Sequence, residues 1–140
     1  MTAKIGIIGH GFVGSAVANG FKRDVDKLIV DPLLTNITLD VLVNDFDAEA
    51  VFVCVPTPEL DNGDVDVRIA SEVLCELSDL NYQGIVIIKS TITPLHLTTF
   101  RDNHSNLRIV YNPEFLTEAN ANTDFINPPF QVFGGKWRDL

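Results

Sequence analysis

Short apolar, β-branched runs alternate along the chain with stretches whose apolar residues recur at helical spacing. Lys4 to Ile8 reads as a first strand, and Val13 to Phe21 as a helix with Val13, Val17 and Phe21 on one face. Lys27 to Val30 is a second strand ending at Asp31; a weak helical segment over Leu39 to Asn44 follows, and Val51 to Val55 is a third strand. Asp66 is placed to cap a helix running to about Leu80, with Val67, Ala70, Val73, Leu74 and Leu77 as its apolar stripe. Gly84 to Ile88 is a fourth strand, and Thr93-Pro94 reads as an N-cap followed by proline at the first helical position. Leu107 to Tyr111 is a fifth strand, and Phe130 to Phe133, closed by Gly134-Gly135, a sixth. The strands are nearly continuous apolar runs, as a parallel sheet covered on both faces requires. This alternation predicts an α/β fold with a doubly wound, mainly parallel six-stranded sheet in a single domain over residues 1–135, with 136–140 as a surface tail.

Length and composition agree with one soluble domain: 140 residues, 46% hydrophobic and 21% charged. No apolar run approaches the roughly 20 residues that cross a bilayer. The stretch from Ile5 to Ile8 is too short for the core of a signal peptide, so a cytoplasmic protein is expected. The formal net charge of −9 counts against a nucleic-acid or membrane partner, both of which need clustered Lys and Arg. It does not oppose a phosphorylated ligand, which backbone N–H groups at a helix N-terminus can hold without basic side chains. Cys54 and Cys75 are expected to be small buried hydrophobes, with neither a disulfide framework nor a metal site implied. The string Asp61 to Asp66 lacks the spacing of a calcium loop and reads as a polar turn before a helix. His96 and His104 have no partner pattern and are expected in solvent.

The chemistry starts at Gly9-His10-Gly11-Phe12-Val13-Gly14. This G-x-G-x-x-G loop follows a strand directly, opens a helix, and is followed 17 residues beyond Gly14 by Asp31 at the end of the next strand. Gly9 allows the tight turn, Gly11 lets the backbone approach a pyrophosphate, and Gly14 lets helix and strand pack closely, which makes the fold Rossmann-type. Asp31 can accept hydrogen bonds from a ribose and would repel the extra phosphate of NADP, so the expected cofactor is NAD. His10 is the variable position of the loop, with a solvent-facing side chain expected. Val55-Pro56-Thr57-Pro58, Lys89-Ser90-Thr91-Ile92 and Asn112 to Glu118 fall where strands three, four and five end, the edge at which such sheets bind ligands. Phe115 and Leu116 are expected to be core residues.

The strings GHGFVG, VFVCVPTP, KSTI and NPEFLTEA, in this order, resemble the N-terminal NAD-binding domain of the UDP-glucose/GDP-mannose dehydrogenase family over residues 3–135. The resemblance implies an NAD-dependent oxidation of a nucleotide-sugar alcohol to a carboxylate in two steps. It places Gly9, Gly11, Phe12, Val13 and Gly14 at the pyrophosphate, Asp31 at the ribose, and Val55, Thr57 and Thr91 against the cofactor, with Glu118 near the nicotinamide. Thr91 and Glu114 take the catalytic places, Glu114 as acid/base or water-positioning group.

The departures limit what this chain does by itself. The family's central helix and substrate domain carry a nucleophilic Cys in a Gly-rich motif, and neither Cys54 nor Cys75 stands in such a motif. The second oxidation needs that thiol. A nucleotide-sugar substrate is therefore expected only if a second domain or chain completes the site. Only about 19 residues separate Asp31 from the third strand, Asn36 stands near where a basic residue is common, Leu95 and Ala119 replace glycines, and Phe130 replaces an Arg. An apolar patch left by the absent helix would allow a homodimer. Two readings remain open: the NAD-binding half of a nucleotide-sugar dehydrogenase, and a non-catalytic dinucleotide-binding or interaction module of the same lineage. A β-hydroxyacid-type dehydrogenase is disfavoured by the NPEFL and VPTP strings.

Overall fold

The computed structural model describes residues 2–21 and 24–140. Its sheet has five strands, β1 (Ala3–Ile8), β2 (Val25–Val30), β3 (Ala50–Val53), β4 (Ile85–Ile88) and β5 (Arg108–Tyr111). They are all parallel, in the order β2-β1-β3-β4-β5. The helices are α1 (Phe12–Gly20), α2 (Arg68–Asp79), α3 (Pro94–Asn103) and α4 (Ala121–Ile126). The chain leaves β1 toward one edge to make β2, then returns to the other side for β3. The crevice between β1 and β3 is the place where a doubly wound sheet receives ligands.

The inner strands β1, β3 and β4 pack both faces, which explains their apolar runs, whereas the edge strand β2 carries the exposed Asp26 and Lys27. Val51, Val53 and Val55 point into one core with Leu42, Leu74, Leu77, Val86, Ile88, Phe100 and Ile109, the side covered by α2 and α3. Phe52 and Cys54 point into the other with Ile5, Ile7 and Val17, the side of α1 and α4. Side chains such as Ile7, Leu42, Leu74 and Ile88 are wholly enclosed, each worth about 1.5–3 kcal/mol of burial. The weak helical segment expected over Leu39 to Asn44 contains a π-helical turn, Val41–Asp45, that drives Leu42 against Gly6, where a Cβ would lie 2.6 Å from it.

The helix starts were partly readable. Thr93 caps α3 as expected: its hydroxyl accepts the His96 N–H, and His96 Nδ1 accepts the Thr93 N–H. His96 is therefore a capping residue and not a bystander in solvent. Asp66 stands one residue before the N-cap of α2, Val67, and accepts the Arg68 N–H at 3.0 Å while pairing with its guanidinium.

Five expectations need correction. Phe130 to Phe133 make no sixth strand; the chain meets the sheet edge there only at Gly134, which exchanges two 2.7 Å backbone hydrogen bonds with Tyr111. Cys75 is exposed on α2, whereas Cys54 is buried as expected. His104 is buried, its Nε2 4.0 Å from Cys75 Sγ. Phe115 is exposed, its ring tilted against Phe130 at the protein surface. Residues 136–140, expected as a surface tail, include a 3-10 turn (Trp137–Asp139) that returns to the sheet: Asp139 is buried and pairs with Arg108 of β5 at 3.1 Å, while Trp137 stays exposed. No helix among the described residues is long and apolar enough to cross a membrane.

Candidate functional site

A cleft of about 590 Å³ opens at the C-terminal ends of β1, β3 and β4. Its floor is the glycine loop. Gly9 has φ +91°, a region that favours glycine, and a Cβ there would lie 2.5 Å from the Cys54 carbonyl oxygen. The Gly9 N–H donates to the Val30 carbonyl at 2.9 Å, tying the loop to the end of β2. Gly14, in the first turn of α1, is buried behind the loop and does not line the cleft; a Cβ there would stand 2.0 Å from the Gly9 carbonyl oxygen. Gly11 faces open space, with nothing within 4 Å of a Cβ. The loop is thus tight at Gly9, closely packed at Gly14 and open at Gly11.

Asp31 forms one wall. Its Oδ2 accepts the His10 N–H and its Oδ1 accepts the Leu33 N–H, both at 2.8 Å. These bonds, the one from His10 foremost, hold the carboxyl below its ordinary range. The carboxylate is therefore charged and locked to the loop, and each oxygen keeps a lone pair for a ligand hydroxyl. Leu33 and Leu34, both exposed, continue the wall as an apolar lip.

The far side comes from the strand ends. Val55, Pro56 and Thr57 follow β3, Lys89, Ser90 and Thr91 follow β4, and Glu114 follows β5. Ser90 Oγ donates to the Val55 carbonyl at 2.7 Å, joining the first two segments. Burial pushes the Cys54 thiol up to about 12, with the Lys89 charge opposing and the Glu114 charge adding. A thiol so protonated is no nucleophile, which agrees with its place outside any Gly-rich motif. Glu114 Oε2 accepts the Leu116 N–H at 2.6 Å, and the residue also lines a neighbouring hollow of about 280 Å³. Glu118 lies in the exposed 3-10 turn Glu118–Asn120 and is not part of the cleft wall.

Lys89 and His10 are among the cleft residues that were not singled out from the sequence as site residues. Lys89 is buried, and its Nζ donates to Asn112 Oδ1 at 2.7 Å and to the Asn112 carbonyl at 3.2 Å. Asn112 in turn donates to the Val132 carbonyl, so the ammonium fastens the turn that carries Glu114. Desolvation draws the Lys89 pKa below its ordinary value. A lysine directly after the apolar run Ile85 to Ile88 was the available signal. His10, expected to face solvent, is half-buried in the cleft wall instead, and its Nδ1 is shut off from solvent with no hydrogen-bond partner. An unpaired buried polar atom costs about 1–3 kcal/mol. This orphaned nitrogen, the open face at Gly11 and the charged Asp31 fit a dinucleotide with a diphosphate at the start of α1 and a ribose at Asp31.

Comparison with known proteins agrees with this geometry. The chain is 31% identical over 105 residues to a UDP-glucose 6-dehydrogenase of Rickettsia felis, a match covering 71% of this chain and 23% of the relative. A UDP-glucose 6-dehydrogenase of Haloferax volcanii is 27% identical over 95% of this chain and 41% of its own length. The structure of a UDP-glucose dehydrogenase from Pyrobaculum islandicum superposes with a TM-score of 0.75 at 21% identity, over 99% of this chain and 42% of that one, and so shares the fold. The chain thus spans less than half the length of these proteins. Residues 22–139 match the model of the NAD binding domain of the UDP-glucose/GDP-mannose dehydrogenase family, and the chain belongs to that family.

Proposed function

We propose that the cleft holds NAD and that the chain serves as the cofactor half of a nucleotide-sugar 6-dehydrogenase. The observation that carries this reading is the Asp31 carboxylate bound to the backbone of His10. It fixes a ribose acceptor and a diphosphate cradle in one rigid unit. In this reading Gly9, Gly11, Phe12 and Val13 cradle the diphosphate, Asp31 accepts the ribose hydroxyls, and Val55 and Thr57 flank the cofactor on the β3 side. Thr91 lines the cleft and Glu114 stands where it meets the second hollow, with a carboxylate able to hold or move a proton beside the reacting carbon. Bound NAD would supply the hydride acceptor. In this reading the nucleophilic thiol comes from a second domain or chain, which also completes the sugar-nucleotide site, since Cys54 is protonated and buried and Cys75 lies outside the cleft. A cytoplasmic setting belongs to this reading, with two free thiols in keeping. So does self-association through exposed apolar residues such as Phe130, Phe133 and Trp137, which gel filtration at two concentrations tests.

Titration of the chain with NADH, followed by fluorescence, tests the main claim. Saturable binding is expected, and no binding at millimolar NADH would overturn it. Oxidation of UDP-glucose by the isolated chain with NAD would overturn the need for a second domain.

A further inference from the structure

The glycine loop carries one ionisable side chain, His10, immediately before the N-cap of α1. Its main chain is committed: the N–H goes to Asp31 at 2.8 Å, and the carbonyl accepts the Ser15 hydroxyl at 3.4 Å. Its imidazole is not. Nδ1 meets no donor or acceptor, so no hydrogen bond at that atom opposes a turn of the ring toward an arriving oxygen.

The charges that face this ring are few. Asp31 at the end of β2 is the group whose carboxyl feels the His10 charge. Lys89 and Glu114 stand at the ends of β4 and β5, and Cys54 at the end of β3 is a neutral thiol. The first turn of α1, Phe12 to Ser15, carries no acid or base. An anion at the start of that helix therefore meets backbone N–H groups and, among the side chains of the loop, one candidate cation.

We propose that His10 is a ligand-contacting residue whose imidazole, when protonated, donates to a diphosphate oxygen of the dinucleotide, so that binding tightens as the pH falls. The proposal rests on the NAD reading of the cleft. A diphosphate diester stays ionised across the range in which histidine titrates, so the added proton resides on the protein. Contact with the anion raises the imidazole pKa in the complex. The gain is then fully present below the pKa of the free protein and is lost as the pH rises through that of the complex.

The test is NADH affinity at pH 6 and pH 8 for the wild type, His10→Gln and His10→Ala, together with the imidazole titrations of the wild type by NMR. The wild type is expected to bind about 3–5-fold more tightly at pH 6, as a partly exposed charge contact provides, and both variants to lose that difference. His10 should titrate at higher pH when NADH is bound, while His96 in its capping box and His104 beside Cys75 should not move. If His10→Gln shows the wild-type pH dependence, or the wild type has none, the proposal is overturned and the NAD reading stands. If the wild type binds no NADH, both fall. If the variants fail to fold, the wild-type titration decides: an upward shift of His10 alone supports the contact, and an unmoved His10 refutes it.

Discussion

Replacing Gly14 by alanine puts a methyl group 2.0 Å from the Gly9 carbonyl oxygen, about 1.4 Å short of ordinary contact, which begins at 3.4 Å. Neither side can yield cheaply. Gly9 is fastened to the Val30 carbonyl and lies against the Cys54 backbone, and α1 is pinned by the wholly buried Ala16 and Val17. Overpacking of this kind costs about 1–3 kcal/mol, and a contact with backbone belongs at the upper end. Alanine returns up to about 1 kcal/mol in helix propensity, leaving a net loss of about 2 kcal/mol. For a chain of this size that is a fall in Tm of roughly 7 °C. Gly11→Ala is the control. Its φ of −74° suits alanine and its Cβ meets nothing, so stability should change by about 0.5–1 kcal/mol or less. The new methyl, however, stands on the cleft floor and should weaken NADH at least about tenfold, the loss of one charge-assisted hydrogen bond. Urea denaturation and NADH titration of the two variants give the answer. A Gly14→Ala protein as stable as the wild type, or a Gly11→Ala protein with wild-type NADH affinity, would refute the division of labour among these glycines.

Three further outcomes are expected. The Asp31 carboxyl, held low by the His10 and Leu33 N–H groups, stabilises the fold above the ordinary value of 3.8; that contribution is lost as the pH falls through its lower folded value. Asp31→Asn should therefore show a shallower loss of stability in acid denaturation, weaker NADH binding and less discrimination against NADPH; an unchanged acid limb would contradict this. Arg108→Ala leaves the buried Asp139 with only Arg138, at 3.7 Å, and should cost about 1–3 kcal/mol. Asp139→Asn, which removes the buried charge, should cost less, and the reverse order in thermal melts would be inconsistent with the pair. Iodoacetamide at pH 8 should label the exposed Cys75 quickly and Cys54 hardly at all while the protein is folded, and rapid labelling of both, read by mass spectrometry, would show that the Cys54 thiol is not enclosed.

Local signals were the readable ones. The five strands, the glycine loop, Asp31 and the Thr93 cap follow from apolar runs, turn chemistry and short spacings, and the structure places each within a few residues of its expected position. Errors arose where a distant segment decides. Phe130 to Phe133 has the composition of a strand, but the chain there meets the sheet edge only at the Gly134 bridge to Tyr111, a partner that no local pattern names. His104 carries no local pattern that announces burial beside Cys75, 29 residues away. Lys89 looked like a polar strand end because its partner, Asn112, lies 23 residues on. The contacts of the cleft were only half legible for the same reason: the loop and Asp31 announce themselves, while the orphaned imidazole of His10 becomes visible only once Asp31 has taken its N–H.

The single backbone pairing of Gly134 with Tyr111 has a further consequence for how the protein behaves at concentration. In the order β2-β1-β3-β4-β5 the outer strands are β2 and β5, and an open strand edge is a template on which another chain can add. At β2 the exposed charges of Asp26 and Lys27 discourage such addition. At β5 the Gly134 bridge occupies the outward N–H and C=O of Tyr111, and the Arg108–Asp139 pair holds the following turn over the other end of the strand. The last ten residues, which add little to the core, thus act as a guard against edge-to-edge aggregation.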